Sequence, residues 1–198
     1  MDTILIIANI LSLLGNICFT TSALFKSKRK IILFQSLNHT LSLISEVLTK
    51  AYSGVVQDAV SLVRNFVLLF IKDNSKRIKI LISIICAIAC VSIGVWVNIA
   101  FSDNIWYGYL PIIANLEYSI IIIIPFVIRL SDLKAEFIIK VSLLISGILW
   151  GMYGFFIQLY PIMIFNGINV LLCTIAIIRI TVTVIKKQKM EENEEKGV

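Results

Sequence analysis

Long apolar runs separated by short polar breaks divide the chain into seven segments. They predict helices over residues 3–25, 31–51, 55–71, 78–100, 107–130, 134–157 and 160–185. At ~1.5 Å rise per residue, all but the slightly short third can cross a hydrocarbon core of ~30 Å. Helices are required there, because lipid offers backbone N–H and C=O groups no partner. The first segment reads as a retained span rather than a signal peptide. It starts at Asp2, its basic residues (Lys26, Lys28, Arg29, Lys30) follow it, and no small-residue cleavage signal stands out.

Composition fits this pattern. Of 198 residues, 59% are hydrophobic and 15% charged, with a mean hydropathy of +0.95. Soluble domains average roughly 25% charged residues, so this chain has too little polar surface to cover a globule in water. Seven spans also leave no room for a separate soluble domain. The formal net charge of +6 is a topology signal once its placement is considered. Basic clusters fall at 26–30, at Lys72, Lys76, Arg77 and Lys79, at Arg129 and Lys134, and at Lys186, Lys187 and Lys189. The alternate loops hold little beyond Lys50 and Asp103. Basic loops stay cytoplasmic, so the N-terminus is expected outside and the C-terminus inside. The expected partner is therefore the lipid bilayer and not a nucleic acid. The charge run at 191–196 is expected to be a disordered tail.

The fold expected is an all-α polytopic membrane protein of seven transmembrane helices. Spans 1–3 (within residues 1–72) and 5–7 (within 107–185) share an orientation, span 4 (within 73–106) inverts between them, and 186–198 forms a charged cytoplasmic tail. Ile6-Ile7-Ala8-Asn9 echoes Ile112-Ile113-Ala114-Asn115, and the same offset brings Ser36-Leu37 onto Ser142-Leu143. Parallel repeats about an axis along the membrane normal are one transporter architecture, with the site between the halves.

The seven-span pattern, residues 54–70 (GVVQDAVSLVRNFVLLF) and residues 163–178 (MIFNGINVLLCTIAII) resemble the YgjV-like bacterial inner-membrane proteins. These are distant relatives of the SWEET/PQ-loop (MtN3-like) superfamily. The resemblance implies two parallel three-helix bundles joined by an inverting helix (3-1-3) in the bacterial cytoplasmic membrane. For the superfamily it implies translocation of small molecules such as sugars, amino acids or vitamins. The chain departs from the superfamily in having no Pro-Gln dipeptide and no proline in its first bundle. Asp58 stands where the third-span Asn of such bundles is expected, with Asn166 of span 7 as its partner.

Ionisable groups inside a membrane cost at least ~2.5–3.5 kcal/mol on insertion scales, so they face the bundle interior and have a partner or a role. Arg64 and Asn65 on span 3 and Glu117 on span 5 are expected at similar depth, which makes Arg64–Glu117 a candidate ion pair or substrate contact. Glu46, Lys50 and Asp58 lie toward the outer end, with Asn166 and Asn169 approaching that level and His39 deeper. The functional reading is an outward-opening cavity. Arg64, Asn65, Asn166, Asn169 and Trp150 would contact a small polar solute, and Glu46, Asp58, Glu117 or His39 would take up protons. The structural reading pairs these groups with one another; Asn–Asn bonding and aromatic packing at Trp150 and Tyr153 belong to it. Asn9, Asn16 and Asn115 read as interhelical ties. Lys140 and Arg179 read as snorkelling to headgroups.

Trp106, Tyr107, Tyr109 and Tyr160 form an expected interfacial belt, and Gly147-x-x-x-Gly151 a close helix contact. Cys18, Cys86, Cys90 and Cys173 read as small buried hydrophobes, with no metal or other cofactor expected. Catalysis lacks its residues: one histidine, no nucleophile elbow, no zinc motif and no phosphate loop. Two readings remain, a small-solute transporter and a non-transporting sensor, receptor or assembly module of the same fold. A nicotinamide-riboside-type carrier ranks below both, since interior aromatics and glutamines are few. A homo-oligomer is compatible with either.

Overall fold

The computed structural model describes residues 3–22, 28–70, 76–102, 104–127 and 132–196. The expectations that rest on Phe25, Lys26, Ile71, Lys72, Asp103, Arg129 and Leu130 lie outside these residues. Seven α-helices and one 3-10 turn make up the described chain, and it contains no strand. They are α1 (Thr3–Ser22), α2 (Lys28–Leu48), α3 (Tyr52–Phe70), α4 (Lys76–Phe101), α5 (Leu110–Val127), α6 (Asp132–Phe156) and α7 (Tyr160–Lys196), with the 3-10 turn at Trp106–Tyr109.

Four helices are long and apolar enough to cross a membrane: Thr3–Thr21, Ile80–Phe101, Glu136–Phe156 and Tyr160–Lys186. Burial is inverted relative to a water-soluble protein. Ser45, Glu46, Gln57 and Asn98 are fully enclosed, whereas Phe70, Leu171 and Ile175 are more than 60% exposed. A continuous apolar outer surface is unfavourable in water and natural in lipid. The chain is an integral, multi-pass membrane protein.

Two boundaries differ from expectation for physical reasons. The fifth segment does not start as an α-helix at Tyr107. Residues 106–109 form the 3-10 turn, and α5 starts at Leu110 with Pro111 at its second position, where a missing N–H is harmless. The expected disordered tail is instead the end of α7, a 37-residue helix ~55 Å long that continues to Lys196. Residues 186–196 contain no Gly or Pro, and Lys, Glu, Gln and Met are good helix formers, so nothing local stops the helix.

Sequential helices pack on one another, and two further contacts, α1 on α7 and α3 on α5, close the arrangement. Thus α1, α2, α3, α5, α6 and α7 form a ring, and α4 lies against α3 and α5. Small apolar cores stand at one end of it: Ala8 with Leu159 and Ile162, and Ala51 with Leu110 and Tyr153, both packed by Trp150 and Ile157.

The α2–α3 and α6–α7 corners are built alike. In the first, Lys50 N–H donates to Val47 O (3.2 Å) and Ala51 N–H to Glu46 O (2.8 Å). In the second, Gln158 N–H donates to Phe155 O (3.2 Å) and Leu159 N–H to Gly154 O (2.9 Å). Each is a Schellman motif whose left-handed residue is Lys50 (φ 57°) or Gln158 (φ 59°). The corners differ in one exchange of bulk. A side chain at Gly54 would collide with the Glu46 carboxylate, and a side chain at Gly154 would crowd Ile162. The large residue thus precedes the first corner and follows the second.

This fit predicts that Gly54→Ala lowers the thermal unfolding midpoint in detergent, by about 1–3 kcal/mol of overpacking. Adding Glu46→Ala should recover most of that loss. Equal midpoints for Gly54→Ala and the parent would contradict the contact.

Candidate functional site

The site lies where the α2–α3 corner, the 3-10 turn before α5 and the α6–α7 corner meet. They enclose an open pocket of about 410 Å³. Thr49, Lys50 and Ser53 line one side, Tyr107 and Gly108 the second, and Phe156 and Gln158 the third, with Tyr153 between them. The rings of Tyr107 and Phe156 stack, with centroids 5.1 Å apart and planes 12° from parallel. Trp106 packs edge-on against Phe156, and both Trp106 and Tyr160 are exposed, as an interfacial belt requires. Tyr107 instead turns toward the pocket.

Two side chains tie the helices together beside it. Tyr153 of α6, 1% exposed, donates through its hydroxyl to Ala51 O (3.1 Å) and accepts from Gly54 N–H (3.0 Å). Asn9 of α1 accepts from Tyr160 N–H (3.1 Å) and donates to Gln158 O (3.3 Å). The first-turn N–H groups of a helix have no partner within the helix. Here Tyr160 N–H of α7 finds its partner on the neighbouring α1, and Gly54 N–H of α3, which also meets Ala51 O (3.0 Å), gains a second on α6. Asn98 of α4 completes the closure, accepting from Ser53 Oγ (3.2 Å) and donating to Ile105 O (3.1 Å).

Below the corner, α3 presents a buried polar stripe at four-residue spacing: Ser53, Gln57, Ser61 and Asn65. Asp58 joins it one residue on. His39 Nδ1 and Asp58 Oδ1 are hydrogen-bonded at 2.9 Å. Glu46 is 0% exposed and neither carboxylate oxygen has a hydrogen-bond partner; Asp58 Oδ2 is likewise without one. Glu46 and Asp58 are within electrostatic reach of each other, and Tyr153 of both. A buried carboxylate left unpaired is costly enough that it must hold a proton or meet a cation. Within the stripe, Gln57 donates to Cys90 O (3.2 Å) and accepts from Asn115 Nδ2 (3.2 Å), joining α3, α4 and α5.

The structure therefore brings together Glu46, Asp58 and His39, and separates the other candidates from them. Arg64 and Glu117 do not pair. The Arg64 guanidinium lies over the Tyr118 ring, 5.6 Å from its centroid, and Glu117 accepts from Ser142 Oγ at 3.0 Å. Asp58 is partnered by His39 rather than Asn166. Asn166 bonds to Ile162 O of its own helix (2.8 Å) and packs on Gly151, and Asn169 lies by Gly147 and accepts from the Cys173 thiol. These two asparagines fill the close α6–α7 contact; they and Arg64, Asn65 and Trp150 do not line the pocket. Asn65 is buried with its Nδ2 unpartnered, and Trp150 packs edge-on against Tyr153 (5.8 Å). Lys50 sits exposed in the turn, unpaired with Glu46 one turn before it.

Sequence reasoning missed Gln57, Ser53, Asn98 and the pairing role of Tyr153. The four-residue spacing of Ser53, Gln57, Ser61 and Asn65 was the available signal. Removing the Tyr153 hydroxyl should test the tie across the ring. Tyr153→Phe is expected to lose about 1–2 kcal/mol of thermal stability, the loss of two buried hydrogen bonds. An unchanged midpoint would place those bonds outside the folded protein's needs. Compared with family models, with curated proteins and with solved structures, the chain matches none of them.

Proposed function

We propose that this membrane protein carries a small polar solute between two three-helix units, α1–α3 and α5–α7, with α4 as the inverting link. On this reading all seven helices span the bacterial cytoplasmic membrane, with the N-terminus outside, and the pocket at the corners is the outer mouth. The ring of contacts, the matched corners and the reciprocal ties from Asn9 and Tyr153 support a two-part construction. So does the resemblance to YgjV-like and SWEET/PQ-loop proteins, which the residues at 54–70 and 163–178 carry.

One observation carries the transport reading: the enclosed Glu46 carboxylate without a partner, beside Asp58 and His39 and under the mouth. Packing does not need it, because the α6–α7 corner closes with Gly154 and Ile162 in the corresponding places. A group that is costly and unnecessary for packing fits a site that meets a solute or a proton during a cycle. The proton-coupling role falls to Glu46, Asp58 and His39. Glu117, tied to Ser142 on α6, is a helix-pairing group in this scheme.

The rival reading is a non-transporting sensor, receptor or assembly module. Its support is the charged helical extension of α7 beyond Lys186, which continues past the apolar part of the helix. Thermal stabilisation against sugars, amino acids, nucleosides and vitamins separates the two. A solute present at about 100 times its dissociation constant adds ~2.7 kcal/mol to stability. The transporter reading predicts a hit whose uptake into proteoliposomes is abolished by Glu46→Gln and by Asp58→Asn, with folding intact. Silence across the library, together with phenotypes confined to Lys186, Lys187 and Lys189, would favour the rival.

A further inference from the structure

Three described non-glycine residues have positive φ: Lys50 (57°), Asn104 (54°) and Gln158 (59°). All three fall in the turns that meet at the pocket. Asparagine tolerates this conformation through its short polar side chain. Lysine and glutamine adopt it at a cost, and glycine is the usual residue at this place in a Schellman motif. Such residues cost of order 1 kcal/mol or more each, and they cluster at ligand clamps. Here the two strained positions correspond to each other in the two matched corners, and both line the pocket from opposite sides.

The pocket's polar groups differ in what they have left to offer. The Tyr153 hydroxyl is engaged with Ala51 and Gly54, the Ser53 hydroxyl with Asn98, and the Thr49 hydroxyl with the carbonyls of Ser45 and Glu46. The Lys50 ammonium and the Gln158 amide have no recorded partner, and Lys50 is the one charged side chain among the described lining residues. Beside them stands the stacked Tyr107–Phe156 wall. A volume of about 410 Å³ is within the ordinary range for small-molecule sites.

We infer that the pocket binds a small organic anion with a flat unsaturated face: the anion on Lys50 and Gln158, the flat face on Tyr107 and Phe156. This rests on the pocket being the mouth of the proposed solute path, and it names the class of solute received there. The left-handed backbone at Lys50 and Gln158 gives up stability that glycine would supply, and places a cation-bearing and an amide-bearing residue on opposite sides of one pocket.

The test uses the full-length purified protein and two probes of nearly one shape. Benzenesulfonate is flat, always ionised and does not cross lipid unaided; benzenesulfonamide is its neutral counterpart. Trp106, packed against Phe156, serves as a fluorescent reporter beside calorimetry. Benzenesulfonate is expected to bind at least about ten-fold more tightly than benzenesulfonamide, the usual scale of a hydrogen bond to a charged group. Lys50→Gly is expected to remove that preference while the thermal midpoint stays level or rises, since glycine relaxes the turn. Gln158→Gly should weaken binding less, again without loss of stability. Equal binding of the two probes, or full retention of the preference in Lys50→Gly, overturns the inference. Displacement of benzenesulfonate by phosphatidylglycerol but not phosphatidylcholine vesicles also overturns it, assigning the anion to a lipid headgroup. Flux separates this inference from the transport reading. Tight binding without uptake leaves the site standing and removes the carrier. Uptake of another solute, abolished by Glu46→Gln and with no benzenesulfonate binding, leaves the carrier and removes the anion site.

Discussion

A chain that turns its apolar side chains outward to lipid must satisfy each polar group from within, because no water follows it into the bilayer core. This constraint organises the molecule. The residues that a soluble protein would place on its surface (Ser45, Glu46, Gln57, Asn98) lie at the centre, and the isoleucines and leucines lie outside. The helix ends where the corners meet illustrate the consequence. In the first turn of α3, Gly54 N–H bonds both Ala51 O and the Tyr153 hydroxyl of α6, and the Tyr160 N–H that opens α7 bonds Asn9 of the neighbouring α1. The same bonds that complete each helix hold the two sides together.

Against that background the exceptions stand out. On α3, Ser53 pairs with Asn98, Gln57 with Cys90 and Asn115, and one Asp58 oxygen with His39, while Asn65 Nδ2 and the other Asp58 oxygen have no partner. On the facing α2 both oxygens of one carboxylate, that of Glu46, are left so. Its carboxylate is wedged against Gly54 in a corner whose counterpart is closed by glycine and isoleucine. The contrast separates what the corner needs in order to form from what the first corner has in addition. A carboxylate in that position biases its surroundings toward whatever neutralises it, a proton or a cation.

Much of the helix layout was legible in the sequence, because apolar run length and charged breaks report directly on where helices begin and end, and four of the seven are long and apolar enough to cross a membrane. The inward role of Glu46, Asp58 and His39 was legible for the same reason: charge inside a span has to face protein. The Arg64–Glu117 pair was misread because equal depth fixes height and not direction around the helix. Arg64 is one residue, about 100°, off the buried stripe ending at Asn65, and it turns to Tyr118. Asn166 and Asn169 were misplaced because the glycines opposite them, Gly147 and Gly151, admit the two asparagines into a close contact instead of a cavity. The pocket was not legible at all, since three turns far apart in sequence build it and two of its key residues matter through their backbone conformation. The tail was expected to be disordered from its charge, although its residues are good helix formers continuing an existing helix.

The central claim is that the enclosed Glu46 position opens to water from the pocket side during the protein's working cycle. The direct measurement is the labelling of Glu46→Cys by a membrane-impermeant maleimide added outside, in a background where Cys18, Cys86, Cys90 and Cys173 are replaced. Val47→Cys, whose side chain is exposed on the outside of α2 and faces lipid on the proposed seven-span arrangement, serves as the reference. The account predicts slow but complete labelling at position 46, faster when Tyr153→Phe releases the tie above it, and none at position 47. A position 46 that stays unlabelled from both sides, while Lys50→Cys in the same corner reacts, would contradict it.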